Sequence, residues 1–376
     1  MSISISRETA FKLIIVLFSA LIFFLTASIL IYTETIRFEW SNQILAKWNY
    51  DQSKTKANRI LVLGDSQLTW WNLDHCLYED IRHFSNDHDI GYVNASMGGF
   101  GPIEYLDRMK AISPGYKPNL VILFYYSGND LTDVLYRRDQ KPKRPDFPWW
   151  KQLTFTDDTF TEARKKNPFS KEPIVLQPKE KKEILQNYNF DWPAFKQAGI
   201  DSNIIAYAQN RLYHPGKIGR EYVNPHILVM GSWKPNYLFD NLTIQSSESK
   251  IAWKSIEQKL DEILQLVHSI DAELKLVCIP STVQVDESHH DFYRKITFNV
   301  EKKLTNAHTP QDNLAKWAAK SGIQYIDLLP TFKAHKNTAD LYFENDDHLS
   351  EKGHIEAFKP VREEILLPFV QSIDKN

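Results

Sequence analysis

Two cysteines, Cys76 and Cys278, are all that 376 residues contain. That is too few for a disulfide framework, and no Cys or His spacing matches a metal site. A disulfide between them in an export compartment is permitted but not required. Cys278 falls in the strand-like run 274–279, where a small buried thiol is the default expectation. Excess charge of either sign is also missing: 45 Lys and Arg against 47 Asp and Glu leave −2, with the signs interspersed. The chain therefore lacks the electrostatic footprint of a nucleic-acid binder, and no nucleic-acid partner is expected. No internal repeat is evident, and no metal or cofactor is expected.

Charge is absent altogether from Leu13 to Tyr32. About twenty such residues cross a hydrocarbon core of roughly 30 Å at 1.5 Å per residue, so a single transmembrane anchor is expected within 1–33. A cleaved signal peptide is the rival reading, but the run exceeds a usual apolar core and no Ala-x-Ala site closes it. Arg7 and Lys12 precede the run while Arg37 and Lys47 follow it, so the flanking charges are level. A short basic amino-terminal tail is the usual cytoplasmic form, which places the remainder outside the cytoplasm, in the periplasm or at the cell surface. The lipid bilayer is then a partner. Tyr32, Phe38, Trp40 and Trp48 read as interfacial anchors or as the packed face of a short helix. Residues 34–57 read as a juxtamembrane linker, and 58–376 as one globular domain.

Within that domain, apolar β-branched runs at about 59–63, 91–95, 119–125, 274–279 and 323–327 alternate with helical patterns. The alternation predicts an α/β fold with a mostly parallel five-stranded sheet and helices on both faces, a three-layer α/β/α arrangement. Ile256, Leu260, Ile263, Leu264 and Val267 recur at helical spacing between Ile251 and Ile270, which marks a core face, and Trp317 reads as core in the same way. From about 135 to 249 the alternation is lost and prolines and aromatics recur, among them Trp149, Trp150, Trp192, Tyr213, Trp233 and Tyr237. A stretch this long inside a compact domain reads as a cap inserted near the functional edge. Its aromatics, with Trp70 and Trp71, could stack on sugar rings; ordinary packing explains them equally well.

The chemistry-bearing residues gather at strand ends. Gly64-Asp65-Ser66 follows the run Ile60–Leu63 and offers a hydroxyl at the carboxyl edge of a buried strand. A serine needs a base, and His348, preceded by Asp346 and Asp347, is the candidate far downstream. The turn holding Gly98, Gly99 and Gly101 lets backbone N–H groups approach a substrate, and Asn129 places an amide at the same edge. Each has a bland counterpart: Ser66 or Asn129 as a helix cap, the glycines as a turn, His348 as a loop histidine, Asp346 as an Asx turn.

Taken together, Gly64-Asp65-Ser66, Asn94 to Gly99, Ser127 to Asp130 and His348 to Gly353 resemble the four blocks of the SGNH hydrolases, the GDSL esterase and lipase family. The resemblance implies a flavodoxin-like sheet, Ser66 as nucleophile, His348 as base, and an oxyanion hole of the Ser66 and Gly99 N–H groups with the Asn129 amide. In many members the acid stands three residues before the histidine. Asn345 occupies that position here, so the acid falls to Asp346, a spacing like that of members acting on bacterial exopolysaccharide. Asp346 is preferred to Asp347 because alternate residues of an extended segment share a face. A Ser-His dyad oriented by a backbone carbonyl also stays open.

The implied activity is hydrolysis of a carboxylic, O-acetyl or short acyl ester, plausibly on a surface carbohydrate. Transfer of the acyl group to an extracytoplasmic polysaccharide is the first alternative. A non-catalytic carbohydrate-binding or assembly protein is the second, since a fold does not fix a function. A phosphodiesterase is disfavoured because no metal cluster or arginine clamp stands near the blocks.

Overall fold

The computed structural model describes residues 49–68, 73, 75–137, 192–197, 199–211, 227, 228, 230, 231 and 234–373. Five strands form one sheet: β1 (Arg59–Leu63), β2 (Gly91–Asn94), β3 (Leu120–Tyr126), β4 (Glu273–Ile279) and β5 (Gln324–Asp327). Their order is β2-β1-β3-β4-β5, and every neighbouring pair is parallel. The expected strands are present, within a residue or so at each end. That order is the flavodoxin-like one, in which the chain reverses direction across the sheet between β1 and β3 and opens a crevice beyond their carboxyl ends.

Alternation along each strand divides the core in two. Leu61, Leu63, Val121, Leu123, Tyr125, Leu276 and Cys278 face one side. There they meet α2 (Pro102–Tyr116), α3 (Asp130–Arg137), α4 (Ser247–Ser269) and α5 (Thr309–Ser321). Ile60, Val62, Ile122, Phe124, Tyr126, Val277 and Ile279 face the other side, against α1 (Leu77–Asp87), α6 (Glu351–Val361) and the carboxyl-terminal helical segment. All seven residues of β3 are buried, as a central parallel strand requires. On α4, Ile256, Leu260, Ile263 and Val267 are fully buried and Leu264 packs at the margin. Trp317 is buried too, with its indole N–H donated to Asp261 at 2.8 Å.

Short-range chemistry explains where the helices begin. Pro102 opens α2, and Glu104 reaches back to the Gly101 N–H at 3.1 Å. The Ser246 hydroxyl accepts from the Ser249 N–H at the start of α4, and Ser350 does the same for Gly353 in α6. Tyr50, which the sequence places in the linker, belongs to the first core cluster and packs on Tyr116 with ring centroids 5.5 Å apart.

The stretch from 135 to 249, expected to be loop-like, contains helices among its described residues. Helices occur at Trp192–Gln197, Ser202–Arg211 and Tyr237–Thr243. Phe195, Ile205, Leu238 and Leu242 join Val283, Tyr293 and Phe298 in a third apolar cluster. Trp192 packs edge-on against Phe195 and Tyr237 against Phe298, so these two aromatics are used in packing. Trp149, Trp150, Tyr213 and Trp233 lie outside the described residues. The expected anchor at 13–32 also lies outside them; among the described residues no helix is long and apolar enough to cross a membrane.

Cys76 and Cys278 are both buried, and no disulfide joins them.

Candidate active site

The turn after β1 is organised by Asp65. Its Oδ1 accepts the Gln67 N–H at 2.9 Å and so caps the short 3-10 turn Ser66–Leu68. The cap is therefore supplied by the residue before Ser66, and the Ser66 hydroxyl stands 2.8 Å from Nε2 of His348. These two residues are 282 positions apart, brought together because the segment before α6 folds back over the carboxyl edge of β1.

That histidine segment is a tight closed loop. Tyr342 and Leu349 form an antiparallel bridge, the Phe343 N–H donates to the His348 carbonyl at 3.0 Å, and Asn345 adopts a left-handed φ of 64°. Asp346 lies nearer the imidazole than Asp347, 2.7 Å against 3.4 Å from Nδ1, and the segment that carries them is a turn and not the extended strand that the preference for Asp346 assumed. Asp346 Oδ1 accepts the N–H groups of Asp347 at 2.7 Å and His348 at 3.3 Å, and His348 Nδ1 lies 2.7 Å from the same oxygen. The Asx turn and the contact with the imidazole are thus one arrangement. A carboxylate only accepts, so it holds the proton on Nδ1 and turns Nε2 toward Ser66. Asp347 Oδ1 also approaches Nδ1, at 3.4 Å. The ligand atoms of Asp346, Asp347 and His348 lie within 4.8 Å of one another, a spacing that the Nδ1–H to carboxylate contact already explains.

Electrostatics follow from this crowding. Burial alone lowers the affinity of His348 for a proton, but the charges of Asp346 and Asp347 and the hydrogen bond to Asp346 outweigh it and push the imidazole up to about 9. Burial, with Asp346 beside it, holds the Asp347 carboxyl above the usual carboxylate range despite the opposing pull of His348. Burial also pushes Asp65 up to about 6.

The glycine and asparagine blocks converge on the same edge. A Cβ added at Gly98 would sit 3.7 Å from the Ser66 Cβ, so this turn abuts the serine, and Gly99 takes a φ of 74° that side chains rarely adopt. Asn129 stands immediately before α3, and its carbonyl accepts the Asp133 N–H at 2.9 Å. Its side chain is not the cap: Nδ2 donates to Asp65 Oδ2 at 3.2 Å, and Oδ1 is buried with no partner. Serine, histidine, aspartate, glycine turn and asparagine are thus gathered at the crevice between β1 and β3. Trp70 and Trp71 lie outside the described residues.

Sequence reasoning did not single out Gln67, which is fully buried and bonded on both sides of His348: Nε2 donates to the Asp347 carbonyl at 2.8 Å, and Oε1 accepts the Leu349 N–H at 3.0 Å. The Tyr126 hydroxyl donates to the same Asp347 carbonyl at 2.8 Å. The one local signal for Gln67 is a large polar residue where a buried strand gives way to a turn.

No protein-family model matches the chain, and no curated protein matches it. Solved structures to which it is similar include the lipase/acylhydrolase from Enterococcus faecalis, at 11% identity over 82% of this chain and 95% of that one, with a TM-score of 0.36. A second is the psychrotrophic esterase EstA from Pseudoalteromonas sp., at 11% identity over 83% and 98%, with a TM-score of 0.35. A third is a GDSL-like lipase from Bacteroides thetaiotaomicron, at 9% identity over 88% and 98%, with a TM-score of 0.38.

Proposed function

We propose that the protein is a serine ester hydrolase of the SGNH type, with Ser66 as nucleophile, His348 as general base and acid, and Asp346 as the group that orients the imidazole. The observation that carries this reading is the relay from Asp346 Oδ1 to His348 Nδ1 at 2.7 Å and from Nε2 to Ser66 Oγ at 2.8 Å. His348 Nε2 takes the Ser66 proton as Oγ attacks the ester carbonyl, and the resulting imidazolium is stabilised by the carboxylate. The oxyanion is received by the Ser66 and Gly99 N–H groups and by the Asn129 hydrogen that Asp65 does not hold. Each such donor is worth roughly 3–4 kcal/mol of transition-state stabilisation. The ring then returns its proton to the leaving alcohol, and water bound in the same place releases the acyl group by the reverse sequence.

A base must be unprotonated to act, and the two carboxylates keep the proton on His348 up to about pH 9. The kcat/KM for an uncharged ester is therefore expected to rise about tenfold per pH unit below that value and to level off above it. A profile already flat from pH 6 would show that the free enzyme does not hold this proton.

The test is direct. The full-length chain, purified in detergent, is incubated with p-nitrophenyl acetate and, separately, with a fluorophosphonate probe, followed by peptide mass spectrometry. Ester turnover with the adduct on Ser66 is the expected result. Neither turnover nor adduct over a panel of short-chain esters would favour a binding or assembly protein. Repeating the assay with an added oligosaccharide identifies the acyl acceptor: water makes the protein an esterase, a sugar hydroxyl an O-acyltransferase acting on carbohydrate. The reading includes a bilayer anchor at 13–32, an extracytoplasmic catalytic domain and a cap over the site at about 135–249. The uncharged apolar run supports the anchor, and protease accessibility of the domain in intact cells tests its side.

A further inference from the structure

We infer that Gln67 is the positioning residue that docks the histidine-bearing loop onto the nucleophile turn, so that the side chain next to Ser66 sets where His348 stands. The inference rests on the serine-hydrolase reading for its kinetic consequence but not for its structural one. Gln67 is fully buried. Its amide brackets His348, donating to the carbonyl of the residue before it at 2.8 Å and accepting the N–H of the residue after it at 3.0 Å. The orientation of the amide is forced, because a carbonyl cannot donate and a backbone N–H cannot accept.

The two bonds do what a pair of ladder bonds does between strands, across 280 and 282 residues of chain. They fix the backbone on both sides of His348 relative to a turn whose own geometry Asp65 sets through the Gln67 N–H. Apart from the contact of His348 Nε2 with the Ser66 hydroxyl at 2.8 Å, the other ties of the loop run elsewhere. Phe343 and Tyr342 close it on itself, Ser350 hands it to α6, and the Tyr126 hydroxyl shares the Asp347 carbonyl. Gln67 links the turn backbone beside Ser66 to both flanks of the histidine. Without it the Leu349 N–H is left as a buried donor with no acceptor, and the loop gains freedom to shift along the sheet edge. A displacement of about 1 Å between reacting groups costs on the order of 100-fold in rate.

A glutamate at this position keeps the acceptor for Leu349 but loses the donor and sets a carboxylate against the Asp347 carbonyl, so Gln67→Glu and Gln67→Ala test the bracket from two directions. Full-length wild type and both variants are compared by thermal unfolding, by kcat and KM on p-nitrophenyl acetate, and by the downfield proton NMR signal of the His348 Nδ1–H, assigned by its absence in His348→Ala. The expected result is cooperative unfolding, kcat lower by about 100-fold with KM within about twofold, and an Nδ1–H signal broadened or lost. If Gln67→Ala does not fold, Gln67→Glu carries the comparison. A signal as sharp as in wild type, or a loss confined to KM, overturns the inference. Wild type without ester turnover would instead sink the hydrolase reading, and the NMR signal would still decide whether Gln67 positions the ring.

Discussion

Ser66→Ala is expected to lower kcat on p-nitrophenyl acetate by about 10⁴–10⁶-fold while leaving KM within a few-fold, because it removes the nucleophile and nothing that binds the ester before reaction. The hydroxyl is not needed to hold the turn. Asp65 caps it through the Gln67 N–H at 2.9 Å, and the Leu68 N–H returns to the Asp65 carbonyl at 3.2 Å. The variant should therefore unfold at nearly the wild-type temperature, and a difference in rate can be assigned to chemistry. Residual turnover of about 10³-fold over water would still be consistent with donors alone, since the oxyanion hole survives the substitution. Full activity in Ser66→Ala would remove Ser66 from the mechanism, and with it the meaning of the 2.8 Å contact to His348.

The parts of this arrangement that could be read from the sequence are those written in local chemistry. Leu120 to Tyr126 announces a central parallel strand because all seven positions are apolar or aromatic, and they are all buried. Gly64-Asp65-Ser66 announces a turn at a strand end, and the sheet order then carries Ser66 and Asn129 to either side of one crevice. The parts that could not be read depend on contacts between distant segments. Nothing local in Gln67 says that its partners are the peptide groups around His348. The helices at Trp192–Gln197 and Ser202–Arg211 escaped because each is short and its apolar face is completed by Tyr293, Ile296 and Phe298 far along the chain. The preference for Asp346 assumed an extended segment, whereas the structure has an Asx turn that aims the Asp346 carboxylate at the imidazole.

That turn determines what the acidic variants will do. Asp346→Ala removes the oxygen that holds both the Nδ1 proton and two backbone N–H groups, and it is expected to lower kcat by about 10⁴-fold, the scale seen when the acid of such a triad is deleted. Asp346→Asn should lose less, because the same two N–H groups keep an amide oxygen facing Nδ1, so the tautomer survives and only the charge is lost. An Asp→Asn change that leaves the imidazole in the wrong tautomer costs about 10⁴-fold; here the backbone opposes the rotation of the amide that would do so. Asp347→Asn keeps the Asp346 oxygen that accepts the two N–H groups and removes one of the two charges that hold the proton on His348, so the pH at which kcat/KM levels off should move below about 9 while the limiting rate stays within about tenfold. Measuring kcat and the pH profile for all three separates the two carboxylates. Equal losses for Asp346→Ala and Asp347→Asn would mean that the imidazole is oriented by both acids together, and an unchanged profile in Asp347→Asn would mean that its charge at 3.4 Å is not felt by the ring.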